Sequence, residues 1–169
     1  MTPWKLFTIC FIAANCTSHN LTDISSPAKN LNLLLQQNER KVSVEKGIAG
    51  TLTMKQGNCM PLIELNTGGC KEFPISRKVY IYEYTLFSET ERDSSLLFTA
   101  VFTNKILETT SDSDGFFQAQ LVPGKYSVFV EEQGKLYAAS FDSYGGINVV
   151  EVNPSKVTIH NLVVDHAVY

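Results

Sequence analysis

The chain has 169 residues, of which 44% are hydrophobic and 18% are charged, and its net charge is −3 at pH 7. This length favours one domain, and the balance of apolar and charged residues argues against a chain that is disordered throughout. The negative net charge and a pI near 5.6 lack the basic footprint of nucleic-acid binding, so no nucleic-acid partner is expected.

The N-terminus has the pattern of an export signal. Lys5 gives the start a positive charge, and residues 6–14 (LFTICFIAA) form a short apolar run that small residues follow. A bilayer span needs about 20 apolar residues, so this run is too short to cross a membrane. The pattern predicts a signal peptide over residues 1–16 and export to the periplasm, the outer membrane or the cell surface. A buried strand or short helix of the domain is the alternative.

Cys16 lies directly after this apolar run. Residues 12–16 (IAANC) resemble a bacterial lipobox, in which the cysteine is lipidated and becomes the mature N-terminus. Ala13 stands where that pattern usually has Leu, and Asn15 stands where it usually has Gly or Ala. Lipidation of Cys16 and ordinary cleavage nearby, for instance after Ser18, both stay open. Contact with a membrane is expected only through such an anchor.

Residues 17–46 are predicted to be a tether between the signal and a domain. Their first half is polar and rich in turn-forming residues. In the second half, Leu31, Leu34 and Leu35 would share one helix face behind Pro27, which suits a first helical position. A short helix and an extended lead-in to the first strand both stay open here.

Short strands separated by turn signals occupy residues 47–169. They alternate apolar and polar residues, and no helical pattern lies between them. This spacing predicts an all-β fold, a seven- or eight-stranded antiparallel sandwich. The predicted strands are residues 47–54, 78–85, one or two strands within 96–110, 116–121, 125–132, 136–142, 147–152 and 157–169.

Cys59 and Cys70 remain as a pair if Cys10 is lost with the signal and Cys16 is lipidated. An exported compartment permits oxidation, and the short segment between the two makes a small closable loop, so we predict a disulfide. Metal ligation is the alternative, but neither cysteine has a partner at the spacing of a zinc site.

A family resemblance is carried by residues 111–130 (SDSDGFFQAQLVPGKYSVFV). A turn that ends in Asp-Gly, a strand that begins with Phe, and then Leu-x-Pro-Gly-x-Tyr-x-Val resemble the carboxypeptidase-regulatory-like (transthyretin-like) domains. The resemblance covers residues 47–169. It implies a Greek-key sandwich of the transthyretin (prealbumin-like) type, a group with carbohydrate-binding-like folds, and it implies almost nothing about function.

Four residues of this segment have predicted structural roles. Gly115 permits the tight turn, Pro123 presets φ for the next turn, and Gly124 is expected to supply a positive φ there. Tyr126 is expected to enter the core, where its hydroxyl needs a hydrogen-bond partner.

A narrower resemblance, to a group of exported bacterial proteins, rests on GNCMP (57–61), VYIYEYT (79–85), PGKYSVFVEE (123–132) and HAVY (166–169). It implies no activity. In that group Gln is expected where this chain has Cys59, so the predicted disulfide would be particular to this chain.

Patterns for catalysis are weak. Transthyretin-like hydrolases of purine degradation end in a Tyr-Arg-Gly-Ser motif, whereas this sequence ends in Asp-His-Ala-Val-Tyr, so that activity does not carry over. His160 and His166 would share strand parity about 20 Å apart, too far for a common metal, and surface positions on the sheet are predicted. Glu131 and Glu132 alternate faces and are interpreted as a strand end. No catalytic residue and no cofactor is predicted.

Asp112, Asp114 and Gly115 faintly suggest a calcium loop. A full loop of that kind needs further oxygen ligands and a terminal Glu, so a plain β-turn is the preferred interpretation and no metal site is predicted.

Tyr80, Tyr82 and Tyr84 share one strand face and are the predicted binding residues, and Tyr137, Phe141 and Tyr144 form a later aromatic group. Such a row could stack on sugar rings or hold a peptide, although Tyr also suits the half-buried boundary of a sandwich.

The composite prediction is a non-catalytic exported envelope module for protein interaction or structural support. A carbohydrate-binding module is the alternative, and an unrecognised small hydrolase is a weaker one. Coplanar exposed rings would favour a glycan, and a free edge strand or an aliphatic patch would favour a protein partner. A pocket that combines His160 or His166 with a carboxylate would favour an enzyme.

Overall fold

The computed structural model describes residues 27–60 and 69–169. The predicted signal peptide with Cys16, and residues 17–26 of the tether, lie outside the described residues. Within the described ranges the chain forms one helix, twelve strands and a 3-10 turn. In chain order these are α1 (Pro27–Glu39), β1 (Gly47–Asn58), β2 (Lys71–Pro74), β3 (Lys78–Glu83), the 3-10 turn (Phe87–Glu89), β4 (Thr90–Arg92), β5 (Leu97–Val101), β6 (Lys105–Thr110), β7 (Phe116–Gln120), β8 (Gly124–Glu132), β9 (Lys135–Tyr137), β10 (Val149–Val152), β11 (Val157–Ile159) and β12 (Leu162–Val168).

The strands form two mostly antiparallel sheets, so the all-β, sandwich-like part of the prediction is confirmed. β1 is central in the first sheet, where it pairs antiparallel with β2 and β7 and parallel with β11 and β12. The second sheet has the order β4-β5-β9-β8-β3-β6, and β10 also pairs with β8. The two parallel pairings depart from the purely antiparallel expectation.

The expected count of seven or eight strands was too low. β2 and β4 lie in segments whose polar and turn-forming residues predicted loops, and the last predicted strand is divided into β11 and β12. A short strand such as β4 forms because it pairs with another strand, in this case β5. The local sequence does not show whether such a partner exists.

The main core lies between the sheets. Alternate residues of β3 (Val79, Ile81) and β8 (Val128, Val130) face inward, where they meet apolar residues of the first sheet. The members contributed by that sheet include Ile48, Leu52, Phe117, Leu162 and Val164.

A second apolar cluster covers the opposite face of the second sheet. Phe98, Phe129, Ala138 and Ile147 are buried there. The intervening residues of β3 pack against them, since successive side chains of a strand point to opposite faces. The half-buried members are Tyr80, Tyr82, Phe87, Val101 and Leu136.

α1 packs against the first sheet through a buried polar contact. Asn38 is 1% exposed, and its Nδ2 donates to Thr51 Oγ1 and to the Asp114 carbonyl, both at 2.9 Å. Just after the helix, Lys41 Nζ lies 3.1 Å from a carboxylate oxygen of Asp112 and 2.7 Å from one of Asp114. The described part of the predicted tether is therefore helical up to Glu39 and attached to the fold.

Two turns share the sequence Asp-Ser-x-Gly and the same hydrogen bonds. Asp112 Oδ1 accepts the N–H groups of residues 114 and 116, and Asp142 Oδ1 accepts those of residues 144 and 146. The fourth residue of each turn, Gly115 or Gly145, has a positive φ of 74° or 85°, which a residue without Cβ adopts freely.

The turn before β8 differs from the prediction at Gly124. Gly124 has no positive φ and is the first residue of β8, because the strand starts as soon as Pro123 has turned the chain. Tyr126 is buried, and its hydroxyl donates to the Val122 carbonyl at 2.9 Å.

Candidate functional site

The three tyrosines predicted to bind do not form one flat row. Tyr80 and Tyr82 are half-buried on the outer face of the second sheet. Tyr84 lies beyond the end of β3, and its hydroxyl donates to Asp142 Oδ2 at 2.9 Å. That hydrogen bond joins the first predicted aromatic group to the turn that carries Phe141 and Tyr144 of the later one.

Aromatic rings form a continuous chain across this outer face. Consecutive ring centroids are 5.5 to 6.3 Å apart, and their planes meet at 71° to 86°. This edge-to-face geometry is the favourable way for rings to pack on one another, and it leaves no coplanar platform along the chain. The rings in order are Tyr82, Phe129, Phe98, Phe87 and Phe141.

The chain of rings ends at Phe141, and two more exposed aromatic side chains lie on segments whose backbone meets the same 3-10 turn. Phe102, Phe141 and Tyr144 are 64%, 45% and 82% exposed, and we call them the aromatic patch. Large apolar groups that are exposed together mark interaction surfaces more often than single ones do. Phe141 and Tyr144 belong to the predicted later aromatic group, whereas Phe102 does not, because strand alternation does not show which side chains are exposed.

Each member of the patch is anchored to the 3-10 turn. The N–H of Phe102 donates to the Glu89 carbonyl, and the N–H of Phe87 donates to the Gly145 carbonyl beside Tyr144, both at 2.9 Å. Phe141 packs on Phe87 with ring centroids 5.5 Å apart. The patch is therefore held on ordered backbone.

An arginine and an ordered hairpin complete the surroundings of the patch. The Arg92 guanidinium lies 3.8 Å from the centroid of the Phe87 ring, a cation–π contact. Tyr144 projects from the turn organised by Asp142, whose pKa is lowered because its carboxylate accepts the N–H of Gly146. An ionised Asp142 keeps this turn closed at neutral pH.

A cavity of 210 Å³ lies in the seam between the two sheets, where β12 faces the segment after β9. We call it the seam cavity. None of the lining residues that the structure describes has a charged side chain; they are Val130, Tyr137, Ala138, Ala139, Ser140, Asn148, Asn161, Leu162 and Val163. The described lining therefore includes neither an imidazole nor a carboxylate, the groups that acid–base catalysis uses most.

A buried carboxylate, that of Glu132, lies elsewhere between the sheets. β8 ends at Glu132, as predicted, and His166 is exposed, as predicted. Glu132 continues the core-facing row of β8 after Val130 and is buried, whereas His166, which follows Val164 with the same strand parity, is already exposed. His166 Nε2 lies 3.3 Å from Glu132 Oε1, and Arg77 Nε lies 3.6 Å from Oε2. The Arg77 guanidinium thus lies beside the buried Glu132 carboxylate where the core ends, and none of the three residues is among the described lining of the seam cavity.

The prediction of one unbroken strand over residues 157–169 is wrong, and this changes the placement of His160. β11 ends at Ile159 and β12 begins at Leu162, so His160 lies in the break. Its Nε2 is buried without a hydrogen-bond partner among the described residues. Burial lowers the pKa of His160 because the charged imidazolium loses its hydration.

His160 is expected to make the protein less stable as pH falls. With its pKa lowered in the fold, stability is fully present above the unfolded value of about 6.5 and is lost as pH falls from there toward the folded pKa. The loss is at most ~1.4 kcal/mol per pH unit for one proton. Urea unfolding between pH 7.5 and 5.5 should show a smaller loss in His160→Gln than in the wild type. Equal losses in the two proteins would refute this origin.

The acidic turn at Asp112 and Asp114 and the predicted cysteine pair both have partners within the chain. Lys41 Nζ contacts the carboxylates of both Asp112 and Asp114, so one of the two negative charges of this turn is offset from within the chain. A disulfide joins Cys59 to Cys70 and closes the connection between β1 and β2. Among residues 27–60 and 69–169, no cluster of three or more His, Cys, Asp or Glu side chains could hold a metal ion.

Comparisons with known proteins found no match among family models, curated proteins or solved structures. In the part of the chain that the structure describes, no helix is both long and apolar enough to cross a membrane.

Proposed function

We propose that this chain is an exported, non-catalytic envelope module that binds another protein through the aromatic patch. The observation that carries the proposal is the exposure of Phe102, Phe141 and Tyr144 around one anchored turn. Aromatic and Arg side chains are enriched where protein interfaces concentrate their binding energy, and Arg92 lies beside this patch. Export through residues 1–16, with or without a lipid on Cys16, is part of the proposal.

Within this proposal the fold is a carboxypeptidase-regulatory-like sandwich of the transthyretin, Greek-key type. Support comes from the segment that carries the resemblance. The Asp112–Gly115 turn leads into β7, and the Leu-x-Pro-Gly-x-Tyr element ends in a buried Tyr126 hydrogen-bonded to Val122.

A glycan is the second candidate ligand, favoured by the 82% exposure of Tyr144. Sugar rings stack best on flat aromatic faces, whereas the planes of Phe87 and Phe141 meet at 71°. This angle favours the irregular surface of a protein.

Differential capture tests the proposal. The tagged full chain is expressed in its native cells, mildly cross-linked and purified from the envelope fraction, with a Phe102→Ser/Tyr144→Ser variant in parallel. A hot-spot residue contributes at least ~2 kcal/mol to the binding free energy. Loss of both side chains should therefore lower the amount of a genuine partner that is captured more than tenfold. Leu33→Ser is the matched control, because Leu33 is a 54% exposed apolar residue on α1.

A partner recovered equally with the double variant would refute the patch as its binding site. Recovery from a cytoplasmic fraction would refute export. Binding of the wild type to a glycan array, lost in the same variant, would replace the protein partner by the glycan candidate.

A further inference from the structure

The free edge of β12 has an open backbone position. β12 pairs with β1 and with no other described strand. The N–H of Asp165 donates to the Tyr137 hydroxyl at 3.0 Å and so points away from β1. The hydrogen-bonding groups of Val163 and Ala167 point the same way, because their direction alternates with a period of two residues.

Side chains close the later part of this edge and leave Val163 open. The Tyr137 hydroxyl covers Asp165, and the Asp165 carboxylate accepts the N–H of Ala167 at 2.9 Å. Val163 lines the seam cavity, and among the described residues no side chain caps its N–H. The open position of the edge therefore faces the cavity.

The edge of β6 is guarded in the ways that natural sheets use against strand addition. The register of β6 against β3 is interrupted beside Ile81, and Lys105 and Glu108 form an ion pair along the strand at 2.8 Å. Bulges and lysines deter other strands from pairing. At Val163 the edge has neither device.

The walls of the seam cavity select an uncharged occupant with small side chains. Ala138, Ala139 and Leu162 provide apolar surface. The polar groups of Ser140 and Asn148 are engaged, since the Ser140 hydroxyl donates to Asn148 Oδ1 and Asn148 Nδ2 donates to the Val128 carbonyl. A charged group here would lose hydration and would meet no oppositely charged side chain among the described lining residues.

One hairpin connects this cavity to the aromatic patch. At its base the N–H of Asn148 donates to the Ser140 carbonyl at 2.8 Å, and both residues line the cavity. Farther along the hairpin, Phe141 and Tyr144 belong to the patch. A single partner chain can therefore contact both.

We propose that the partner adds an extended, uncharged segment of small apolar residues to β12 at Val163, inside the seam cavity. This inference rests on the proposed function and names the chemistry of the partner. An extended backbone complements the N–H and C=O of Val163, and alternate small side chains fill the cavity.

Val163→Pro is the decisive variant. Proline removes the outward N–H but not a bond to β1, so the edge strand should keep its fold. The probe is an array of unrelated 12-residue peptides. Wild type should select uncharged peptides rich in Ala, Val, Ser and Thr, and Val163→Pro should weaken their binding about tenfold by removing a backbone hydrogen bond and blocking close approach. Val163→Ala, which keeps the N–H, should bind within about threefold of wild type.

Unchanged binding in Val163→Pro, selection of charged peptides, or no binding at all would overturn the inference. Circular dichroism and a thermal melt confirm that the variant is folded. Dimerisation of wild type that Val163→Pro abolishes, without peptide binding, would assign the edge to a second copy and also overturn it. If Val163→Pro still captures the partner that the Phe102→Ser/Tyr144→Ser variant loses, this inference fails while the proposed function stands.

Discussion

Gly115→Ala is expected to lower the free energy of unfolding by about 3 kcal/mol. Gly115 has a φ of 74°, a backbone conformation that is unfavourable for any residue with a Cβ atom. The added Cβ would also lie 2.3 Å from the Leu52 carbonyl oxygen, which is a steric clash. That oxygen belongs to β1, whose Leu52 N–H also donates to the Gly115 carbonyl at 2.8 Å. Neither backbone can move without breaking this pairing. Urea denaturation of the two proteins measures the difference.

Gly124→Ala is the matched control for this prediction. Gly124 has no positive φ, and a Cβ there would lie 3.5 Å from the Tyr126 hydroxyl, an ordinary contact. We expect a change within about 0.5 kcal/mol. Equal destabilisation by the two alanines would show that the turn at Gly115 is not the constraint described here.

Phe129→Ala is expected to cost about 3 to 5 kcal/mol of unfolding free energy. The ring is fully buried on the outer face of the second sheet and packs edge to face against Tyr82 and Phe98, with centroids 5.5 Å apart. Its removal leaves a cavity that the neighbouring rings cannot fill without losing their own contacts. Chemical denaturation measures the loss.

Phe102→Ala is the matched control for this prediction, because it also replaces a phenylalanine by alanine, but at an exposed position. Because Phe102 is 64% exposed, we expect a change below about 0.5 kcal/mol. A small effect of Phe129→Ala would mean that the second apolar cluster is not a core, and that the tyrosines beside it are freer to bind ligands than their packing indicates.

Local chemistry made several features predictable. Alternation in β3 and β8 places Val79, Ile81, Val128 and Val130 on one face, and Asp-Gly and Pro-Gly signals locate the turns that bound β7. These features depend on residues adjacent in sequence, so a window of a few residues contains the necessary information.

The candidate site was less predictable because it depends on distant pairings. The parity of Tyr80 and Tyr82 was visible, but their half-burial arises from Phe98 and Phe129 on other strands. Glu132 and His166 are 34 residues apart along the chain, and only the stacking of the two sheets brings them within 3.3 Å. A pattern within one strand does not show which residues of another sheet lie opposite.

The sequence by itself determined the all-β class, most strand positions, the tight turn at Gly115 and the cysteines that form the disulfide. The tertiary structure decided the parallel pairing of β1 with β11 and β12, the attachment of α1 through Asn38 and the opening of the seam at Val163. The physical reason is that turns and alternation follow from backbone sterics and side-chain hydrophobicity within a few residues. The exposure of a side chain and the accessibility of a strand edge depend on the elements that pack beside them. Those elements are distant in sequence, so the strand's own residues do not identify them.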